Sequence, residues 1–329
     1  MTPEPEPAAE FLEAIRKGER RELARAITLL ESSRRDLFEQ GQLVLEQLIP
    51  DTGNGIRLGI TGPPGVGKST LIEVLGLELI EKGHRVAVLA VDPTSPVSGG
   101  SILGDKTRMQ ALSRNPAAFI RPSPSGTALG GVAQSTREAM LLCEAAGYDV
   151  VIVETVGIGQ SQVAVAGMVD FFLLMLLPGG GDELQGIKKG VVELADCLLV
   201  NKADGPTAEV AERTRAEYAS ALQVIRSLSS NWSPPVLSAS ALTGHGVAEV
   251  WETVLAHRKK FEDSGELELR RRRQARDWMW SLLEDGLQSA FRSHPEVASE
   301  IAALEAAVEA RETTPNAAAR DLLERFLRG

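Results

Sequence analysis

Residues 62–69 have the sequence GPPGVGKS and follow the apolar run RLGIT. This is the G-x-x-x-x-G-K-[ST] phosphate loop, and the helix-forming segment TLIEVLGLELIEKG after it supplies the strand–loop–helix context that the motif requires. Glycines let backbone N–H groups approach phosphate oxygens without an intervening Cβ, and a helix N-terminus adds partial positive charge. The motif therefore predicts a nucleotide site formed by Gly62, Pro63, Pro64, Gly65, Val66, Gly67, Lys68, Ser69 and Thr70.

Two residues of this loop and two distant acids are candidates for the chemistry. Lys68 would reach the β- and γ-phosphates, and Ser69 would coordinate Mg²⁺. Asp92 and Glu154 end two apolar runs, and carboxylates at the carboxyl ends of adjacent parallel strands point into the ligand crevice, where they suit Mg²⁺-bound waters. Asp92 could instead cap the following turn. Glu154 is longer than the Asp of most GTPases, which leaves open whether it contacts the water shell of the metal or only holds the loop.

The sequence NKAD at 201–204 closes the sixth apolar run and matches the N-K-x-D motif of guanine-specific GTPases. The carboxylate of Asp204 would accept hydrogen bonds from N1–H and the 2-amino group of guanine, a pair of donors that adenine lacks. Lys202 would lie along the base and the phosphate loop. A polar turn after a strand is the alternative for a lone four-residue match. We predict binding of GTP and GDP, with a nucleotide-binding set of Asn201, Lys202, Asp204, Ser240, Ala241 and Leu242.

Gly157 lies three residues after Glu154 and could donate its backbone N–H to the γ-phosphate, which only the triphosphate has. The next residue is Ile158, at the place where Ras-like proteins have a glutamine that orients the attacking water, and Gln160 comes two residues later. We therefore expect slow intrinsic hydrolysis that needs help to assemble the water-positioning group.

Residues 177–190 have the sequence LPGGGDELQGIKKG and separate two apolar runs. Three consecutive glycines after a buried strand, followed by charges of both signs, indicate a loop that changes shape with the bound ligand, because such loops are drawn from low-stability backbone. A solvated glycine-rich turn is the alternative.

Seven short apolar runs alternate with helical segments between residues 55 and 262, a pattern typical of a parallel sheet covered by helices. We predict an α/β fold: a P-loop G domain with a mostly parallel sheet over 51–264, an N-terminal helical extension over 1–50 and a C-terminal one over 265–329. The last is too short for a large core, and we expect it to pack on the α/β domain, on a second copy of itself, or both, with dimerisation as its favoured role. The runs are RLGITG, RVAVLAVD, AAFIRPS, DVVIVETVG, FFLLMLLP, CLLVNKAD and PVLSAS.

Composition and charge exclude several partners. A net charge of −10 over 329 residues argues against nucleic acid or an anionic membrane. The basic run RRRR at 270–273 is preceded by Glu266 and Glu268 at helical spacing, which predicts a solvated, ion-paired helix face. Cys143 and Cys197 have apolar neighbours, which predicts small buried hydrophobic residues in a reducing compartment. The longest apolar stretch is too short to span a bilayer, and the N-terminus resembles no targeting peptide, so we expect a cytoplasmic protein.

Longer blocks carry a more specific resemblance. They are RELARAITLLES, GPPGVGKST, VDPTSPVSGGSILGDKTRM, RPSPSGTALGGVA, ETVGIGQSQ, LPGGGDELQGIKKGVVELAD and NKAD. Over nearly the whole chain, they resemble the MeaB/ArgK family of GTPase chaperones associated with adenosylcobalamin-dependent methylmalonyl-CoA mutase. The resemblance implies a SIMIBI-class G domain and a homodimer. It also implies GTP hydrolysis accelerated by the mutase, and a role in gating cofactor loading and protecting the mutase from inactivation.

The resemblance also implies roles for individual residues. Asp92 and Glu154 match the Mg²⁺ and second-switch elements of the family, and residues 177–188 match its third switch. The glycines of that loop would supply hinge freedom, and its polar residues would make contacts that differ between nucleotide states or bind the mutase. The implied switch residues are Asp105, Gly179, Gly180, Gly181, Asp182, Gln185 and Lys188.

Three other functions stay open at this point. A metallocentre-assembly GTPase for hydrogenase or urease shares the G-domain class but typically carries Cys- or His-rich metal motifs, and here the four histidines are scattered. A small-molecule kinase would use the same phosphate loop, but most such kinases use ATP. A non-hydrolysing GTP-binding scaffold is open because the sequence contains no evident water-positioning group.

Overall fold

The structure is a computed structural model that describes residues 8–91, 109–122, 131–155, 160–179, 189–223, 229 and 231–328. The chain divides into two compact units, residues 1–271 and residues 272–329.

A seven-stranded sheet is the centre of the first unit. Its strands are β1 (Ile56–Thr61), β2 (Val86–Val91), β3 (Ala118–Arg121), β4 (Val150–Thr155), β5 (Phe171–Leu176), β6 (Cys197–Val200) and β7 (Val236–Ser238). The strand order is β3-β2-β4-β1-β5-β6-β7, and every pair is parallel. Each of the seven apolar runs forms one strand, which confirms the predicted α/β fold.

Helices connect the strands and form both ends of the described chain. They are α1 (Ala9–Arg16), α2 (Arg20–Leu30), α3 (Arg35–Leu48), α4 (Lys68–Glu81), α5 (Gln110–Arg114), α6 (Gly131–Ala145), α7 (Gln160–Ala166), α8 (Lys189–Leu194), α9 (Ala208–Leu222), α10 (Val247–Ser264), α11 (Glu266–Ser293), α12 (Pro295–Glu309) and α13 (Pro315–Arg328). Short 3₁₀ turns cover Ile49–Asp51 and Gly205–Thr207. No helix in the described ranges combines the length and the apolar composition of a transmembrane span.

Side chains of successive strand residues enter two separate hydrophobic cores, one on each face of the sheet. On β4, Val151 and Val153 lie in one core, and Val150 and Ile152 lie in the other, as the two-residue period of a strand requires. The first core also contains buried leucines and isoleucines of α1, α2 and α3. The N-terminal helices therefore cover one face of the sheet. The division into domains at 1–50, 51–264 and 265–329 stays a prediction.

The basic run at 270–273 does not form the wholly solvated helix face that its charge pattern predicted. Arg270 donates to both carboxylate oxygens of Asp196 at 3.0 Å, and Arg271 donates to both oxygens of Asp170 at 2.8 and 2.6 Å. Both aspartates are buried and lie directly before β5 and β6. A buried carboxylate without a cation would be strongly destabilising. Two arginines of the run therefore neutralise acids at the amino-terminal edge of the sheet.

Asp196 keeps its charge in spite of its position. Burial alone would raise the pKa of this carboxyl, but the His257 ring, whose Nε2 lies 3.5 Å from Oδ1, and the Arg270 guanidinium outweigh burial and hold the pKa below its usual range. The His257 ring is itself buried and stacks on Phe261, with 3.9 Å between the ring centroids. The ion pair of Asp196 and Arg270 thus lies among aromatic rings.

Both cysteines are small buried residues, as predicted. Cys143 and Cys197 are free thiols within the core. Burial raises the pKa of each thiol well above its ordinary value. Because the thiolate is the form that binds metals and reacts as a nucleophile, both side chains are chemically inert in the folded protein.

The second unit begins at Arg272, within α11, and contains the rest of that helix together with α12 and α13. The Phe326 ring makes edge contacts with Phe291 and His294, at centroid distances of 5.4 and 5.5 Å. Thr314 caps α13 through a hydrogen bond from the Ala317 N–H to its hydroxyl at 3.2 Å. One group of apolar side chains on α11 stays exposed. We call it the apolar stripe, and it consists of Trp280, Leu283 and Leu287, which are 51%, 47% and 55% exposed.

Glu138 on α6 is a buried acid whose charge has no cation within the contacts that the structure describes for it. Its Oε1 accepts hydrogen bonds from Gln42 at 2.7 Å and from Gln134 at 3.1 Å. Burial raises the pKa of Glu138, and the two hydrogen bonds offset this only in part. The folded-state pKa therefore lies above the unfolded-state value, so ionisation of Glu138 costs stability as the pH rises through the folded-state value.

We predict that Glu138→Gln gains stability relative to the wild type as the pH rises from about 4 to about 8, by on the order of 1 kcal/mol. The amide cannot ionise, so the variant avoids the cost of a buried charge. Urea denaturation at several pH values measures the difference. Glu46→Gln, which changes an exposed acid on α3, is the control. A Glu138→Gln difference that is constant across this range would contradict the prediction.

Candidate functional site

Four strand ends bring the predicted nucleotide-binding residues together at the carboxyl edge of the sheet. Residues 62–70 follow β1 and run into α4, and Glu154 lies within the last two residues of β4. Residues 201–204 follow β6, and residues 240–242 follow β7. Strands β4 and β5 flank β1 on its two sides, so the phosphate loop lies at the centre of this edge. A crevice outside the carboxyl ends of parallel strands is where α/β proteins bind ligands.

The phosphate loop presents backbone N–H groups and one buried cation. The first helical hydrogen bond of α4 runs from the Leu71 N–H to the Gly67 carbonyl at 2.9 Å, so the N–H groups of residues 68–70 precede it and point out of the helix N-terminus. The buried ammonium of Lys68 donates to the carbonyls of Gly62 at 2.9 Å and Pro63 at 3.2 Å. These contacts hold the positive charge inside the loop, where a phosphate anion would bind.

A distant side chain explains why residue 67 is a glycine. Gly67 has φ +99°, and a Cβ at this position would lie 2.5 Å from Nδ2 of Asn201. An L-residue would be strained in this backbone conformation and would displace the asparagine. The close approach lets the Asn201 amide contact the main chain of the loop directly.

Asn201 links the phosphate loop to the segments predicted to recognise the base, residues 201–204 and 240–242, which we call the base-recognition segments. Its buried side chain donates from Nδ2 to the Val66 carbonyl at 2.7 Å, and its Oδ1 accepts from the Ala241 N–H at 3.0 Å. One planar amide therefore fixes the spacing between the loop after β1 and the segment after β7. We assign Asn201 a positioning role in addition to the nucleotide contact that its motif predicts.

The base-recognition segment after β6 has a constrained backbone. Lys202 has φ +61°, an uncommon conformation for a residue other than glycine, and its carbonyl accepts a hydrogen bond from the Thr207 hydroxyl at 2.6 Å. This conformation exposes the Lys202 side chain and leaves Asp204 half-buried. Leu242, in the segment after β7, is 80% exposed. Such a strained segment at a ligand-binding edge is typical of a preorganised site.

Ser69 and Glu154 form a pair of oxygen ligands suited to Mg²⁺. The Ser69 hydroxyl donates to Oε1 of Glu154 at 3.1 Å, and Glu154 is buried. Mg²⁺ prefers hydroxyl, carboxylate, water and phosphate oxygens and needs few protein ligands. In the described ranges, no three His, Cys, Asp or Glu side chains gather as a metal cluster would. A site completed by nucleotide phosphates and water needs no such cluster, so the residues fit this ion.

Sequence reasoning missed three polar residues behind this edge. The Thr155 hydroxyl donates to Oγ1 of Thr61 at 2.7 Å, and Nε2 of Gln162 donates to the same oxygen at 2.9 Å. The available signal was a threonine as the last residue of two largely apolar strands, RLGIT and VVIVET. We call these three residues the Thr61 junction.

Gly179 is the one implied switch residue within the described ranges. It has φ +76°, and its N–H donates to the buried Thr214 hydroxyl at 2.9 Å. The backbone leaving β5 is therefore fixed to α9 at this glycine. The other implied sensor and switch residues lie outside the described residues; they are Asp92, Asp105, Gly157, Gly180, Gly181, Asp182, Gln185 and Lys188.

Comparison with known proteins gives matches to one family over most of the chain. The family model described as methylmalonyl Co-A mutase-associated GTPase MeaB matches residues 23–296. GTPase ArgK of Escherichia coli K12 is 50% identical over 277 residues, which is 84% of each chain. The mitochondrial methylmalonic aciduria type A homolog of Mus musculus is 47% identical over 320 residues, which covers 94% of this chain and 77% of the mouse protein.

A solved structure supports the fold over almost the whole length. The crystal structure of a protein described as LAO/AO transport system kinase matches with a TM-score of 0.79 and 39% sequence identity, and covers 98% of this chain and 97% of that chain. These matches confirm the resemblance that the sequence motifs indicated.

We predict that Asp204→Asn weakens GDP binding roughly 100-fold, because a carboxylate that accepts two hydrogen bonds becomes an amide with a single acceptor atom. The amide should in turn favour xanthosine diphosphate, whose 2-oxo group matches the new donor. Isothermal titration with both nucleotides measures the change. Glu209→Gln, which alters an exposed acid at the start of α9, should leave both affinities unchanged. Equal GDP affinity for Asp204→Asn and wild type would contradict the assignment of guanine recognition to Asp204.

Proposed function

The chain belongs to the family of methylmalonyl-CoA mutase-associated GTPases MeaB and is therefore a GTP hydrolase, and we propose that it serves as a G-protein chaperone of adenosylcobalamin-dependent methylmalonyl-CoA mutase. In this proposal the nucleotide state gates cofactor loading and protects the mutase from inactivation. The description of the matching family model and the name of the mouse relative support the choice of partner.

The observation that carries the proposal is the direct connection between the phosphate loop and the base-recognition segments. The Asn201 amide joins the Val66 carbonyl to the Ala241 N–H. Phosphate binding and guanine recognition are thereby held in one rigid unit, as a protein that responds specifically to guanine nucleotides requires. This connection supports the nucleotide-binding roles proposed for residues 62–70, 201–204 and 240–242.

We assign the chemical roles as follows. Lys68 binds the β- and γ-phosphates and counters their charge, since its ammonium already lies within the loop. Ser69 would hold Mg²⁺ directly, with Glu154 and Asp92 binding its water shell, and the ion would draw negative charge from the phosphate oxygens. Glu154 also orients the Ser69 hydroxyl, to which it is hydrogen-bonded. Gly157 would sense the γ-phosphate through its backbone N–H.

The loop after β5 is the proposed partner-responsive switch. Gly179 is fixed to Thr214, so movement would begin beyond it, at Gly180 and Gly181. Asp182, Gln185 and Lys188 would then exchange contacts between nucleotide states or bind the mutase, and Asp105 is a further switch candidate. A fixed point directly before a glycine pair gives such a loop a defined hinge.

We predict that GTP turnover by the purified protein is slow and rises at least tenfold with saturating methylmalonyl-CoA mutase, because the mutase helps to assemble the water-positioning group. Phosphate release at saturating GTP measures the rate. Lys68→Ala should abolish turnover with and without the mutase, which controls for contaminating hydrolases. Turnover that is fast alone, or indifferent to the mutase, would contradict the proposed partnership.

No specific observation favours the metallocentre-assembly alternative. Both thiols are buried and protonated, so neither is available to carry a metal ion to another enzyme. A cytoplasmic location stays a prediction from the sequence.

The apolar stripe on α11 supports the proposal of a homodimer. Its three large apolar side chains are each about half exposed to solvent. Exposed apolar side chains grouped on one surface are typical of a contact with another protein chain. A two-fold axis would let the stripe pack on its own copy, as in most homodimers. We propose that residues 265–329 form this dimer contact.

We predict that Leu283→Glu combined with Leu287→Glu converts the dimer into a monomer, because two pairs of charges would face each other across the two-fold axis. Light scattering after size-exclusion chromatography measures the mass. Glu284→Gln, on the same helix and also exposed, is the control and should stay dimeric. A double variant that remains dimeric would show that another surface makes the contact.

A further inference from the structure

Thr207 contacts the base-recognition segment after β6 through both its side chain and its main chain. Its hydroxyl lies 2.6 Å from the Lys202 carbonyl oxygen and 2.8 Å from the Asp204 carbonyl oxygen. Its backbone N–H also donates to the Asp204 carbonyl, at 3.1 Å. One residue therefore holds the main chain on both sides of Ala203.

The Thr207 hydroxyl does not have the local role that its place in the sequence predicts. Thr207 directly precedes α9, and a threonine at this position commonly caps the helix by accepting a hydrogen bond from an N–H group of the first turn. Within α9, all of which the structure describes, no N–H group makes such a bond to Thr207. The hydroxyl instead donates backwards, to the carbonyls of residues 202 and 204. Stability of the helix therefore does not explain the orientation of this side chain.

Lys202 is the residue that most needs an external constraint. Its φ of +61° lies in the left-handed region, which a residue with a Cβ adopts only at an energetic cost. The Ala203 N–H donates to the carbonyl of the residue after β7 at 3.0 Å. The peptide group that joins Lys202 to Ala203 is thus bonded at its N–H by that carbonyl and at its C=O by the Thr207 hydroxyl.

The same contacts fix the main chain around Asp204. The peptide group directly before Ala203 Cα is held by Thr207, and so is the carbonyl of Asp204 itself. The direction in which a side chain leaves the main chain follows from the backbone on its two sides. The Asp204 carboxylate therefore has a restricted range of orientations before any nucleotide binds.

From this geometry we propose that Thr207 is a positioning residue for recognition of the guanine base. The inference rests on the proposed reading of the base by Asp204, and it adds the residue that sets the orientation of that carboxylate. A hydrogen bond weakens steeply when it is misaligned, so the carboxylate selects guanine only when it faces both donors of the base. Thr207 acts on this selection through the main chain of residues 202–204.

The test compares the affinities of the purified protein for GDP and for inosine diphosphate, measured by titration calorimetry. Inosine diphosphate keeps the N1–H of the base but lacks the 2-amino group, so it can donate only one of the two hydrogen bonds to Asp204. Thr207→Val keeps the shape of the side chain and removes the hydroxyl. It should weaken GDP binding about fivefold, the effect of one hydrogen bond, and keep the affinity for inosine diphosphate within about twofold of wild type. The loss is larger for GDP because two bonds are misaligned rather than one.

Two further variants control for the substitution itself. Thr207→Ser keeps the hydroxyl and should restore both affinities to the wild-type values. Thr253→Val removes a hydroxyl that donates to the Glu249 carbonyl within α10 at 2.8 Å, and should leave both affinities unchanged. If Thr207→Val does not fold, Thr207→Ala removes the same hydroxyl with a smaller side chain.

Equal losses of affinity for the two nucleotides, or no loss for either, in Thr207→Val would overturn the proposal. Asp204→Asn separates this failure from a failure of the proposed guanine recognition. A wild-type ratio of the two affinities in Asp204→Asn would overturn the reading of the base by Asp204, and the role of Thr207 with it. A lowered ratio in Asp204→Asn together with a wild-type ratio in Thr207→Val would overturn the role of Thr207 alone.

Discussion

Parallel pairing of all seven strands places every strand end that carries a candidate functional residue at one edge of the sheet. Helices cover both faces of the sheet, so the edge formed by the carboxyl ends of the strands is where loops can meet a ligand. The central strand β1 leads into the phosphate loop, with β4 and β5 beside it. Glu154 reaches Ser69 because β1 and β4 are neighbours in register, with Ile60 paired to Glu154.

Hydrogen bonds to backbone and side-chain amides, rather than long charged side chains, set the geometry of the site. The Asn201 amide spans from the Val66 carbonyl to the Ala241 N–H, and the Gln162 amide spans from α7 to the Thr61 hydroxyl. A planar amide has few rotatable bonds and both a donor and an acceptor, so it fixes distance and orientation together. The arrangement suits a GTPase, because guanine nucleotide binding needs a precise spacing between the phosphate loop and the segments after β6 and β7.

Two buried ion pairs lie at the amino-terminal ends of the strands, opposite the edge that carries the candidate site. Asp170 and Asp196 lie before β5 and β6, and Arg271 and Arg270 neutralise them at the start of α11. The carboxyl ends of the same two strands lead to Gly179 and Asn201. The two strands that precede Gly179 and Asn201 are therefore fixed at their other ends by buried ion pairs.

The sequence by itself determined the seven strands, the phosphate loop and the guanine motif, because continuous apolar runs, glycine spacing and short polar motifs depend on neighbouring residues. It also indicated the family. Only the tertiary structure decided which residues far apart in sequence contact each other. The bond from Asn201 to Val66 joins residues 135 positions apart, and the Thr61 junction appears in the sequence only as single polar residues. The arginines at 270 and 271 looked solvated because their local pattern offers glutamates as partners, whereas burial against Asp196 and Asp170 depends on how α11 packs, which no local pattern encodes.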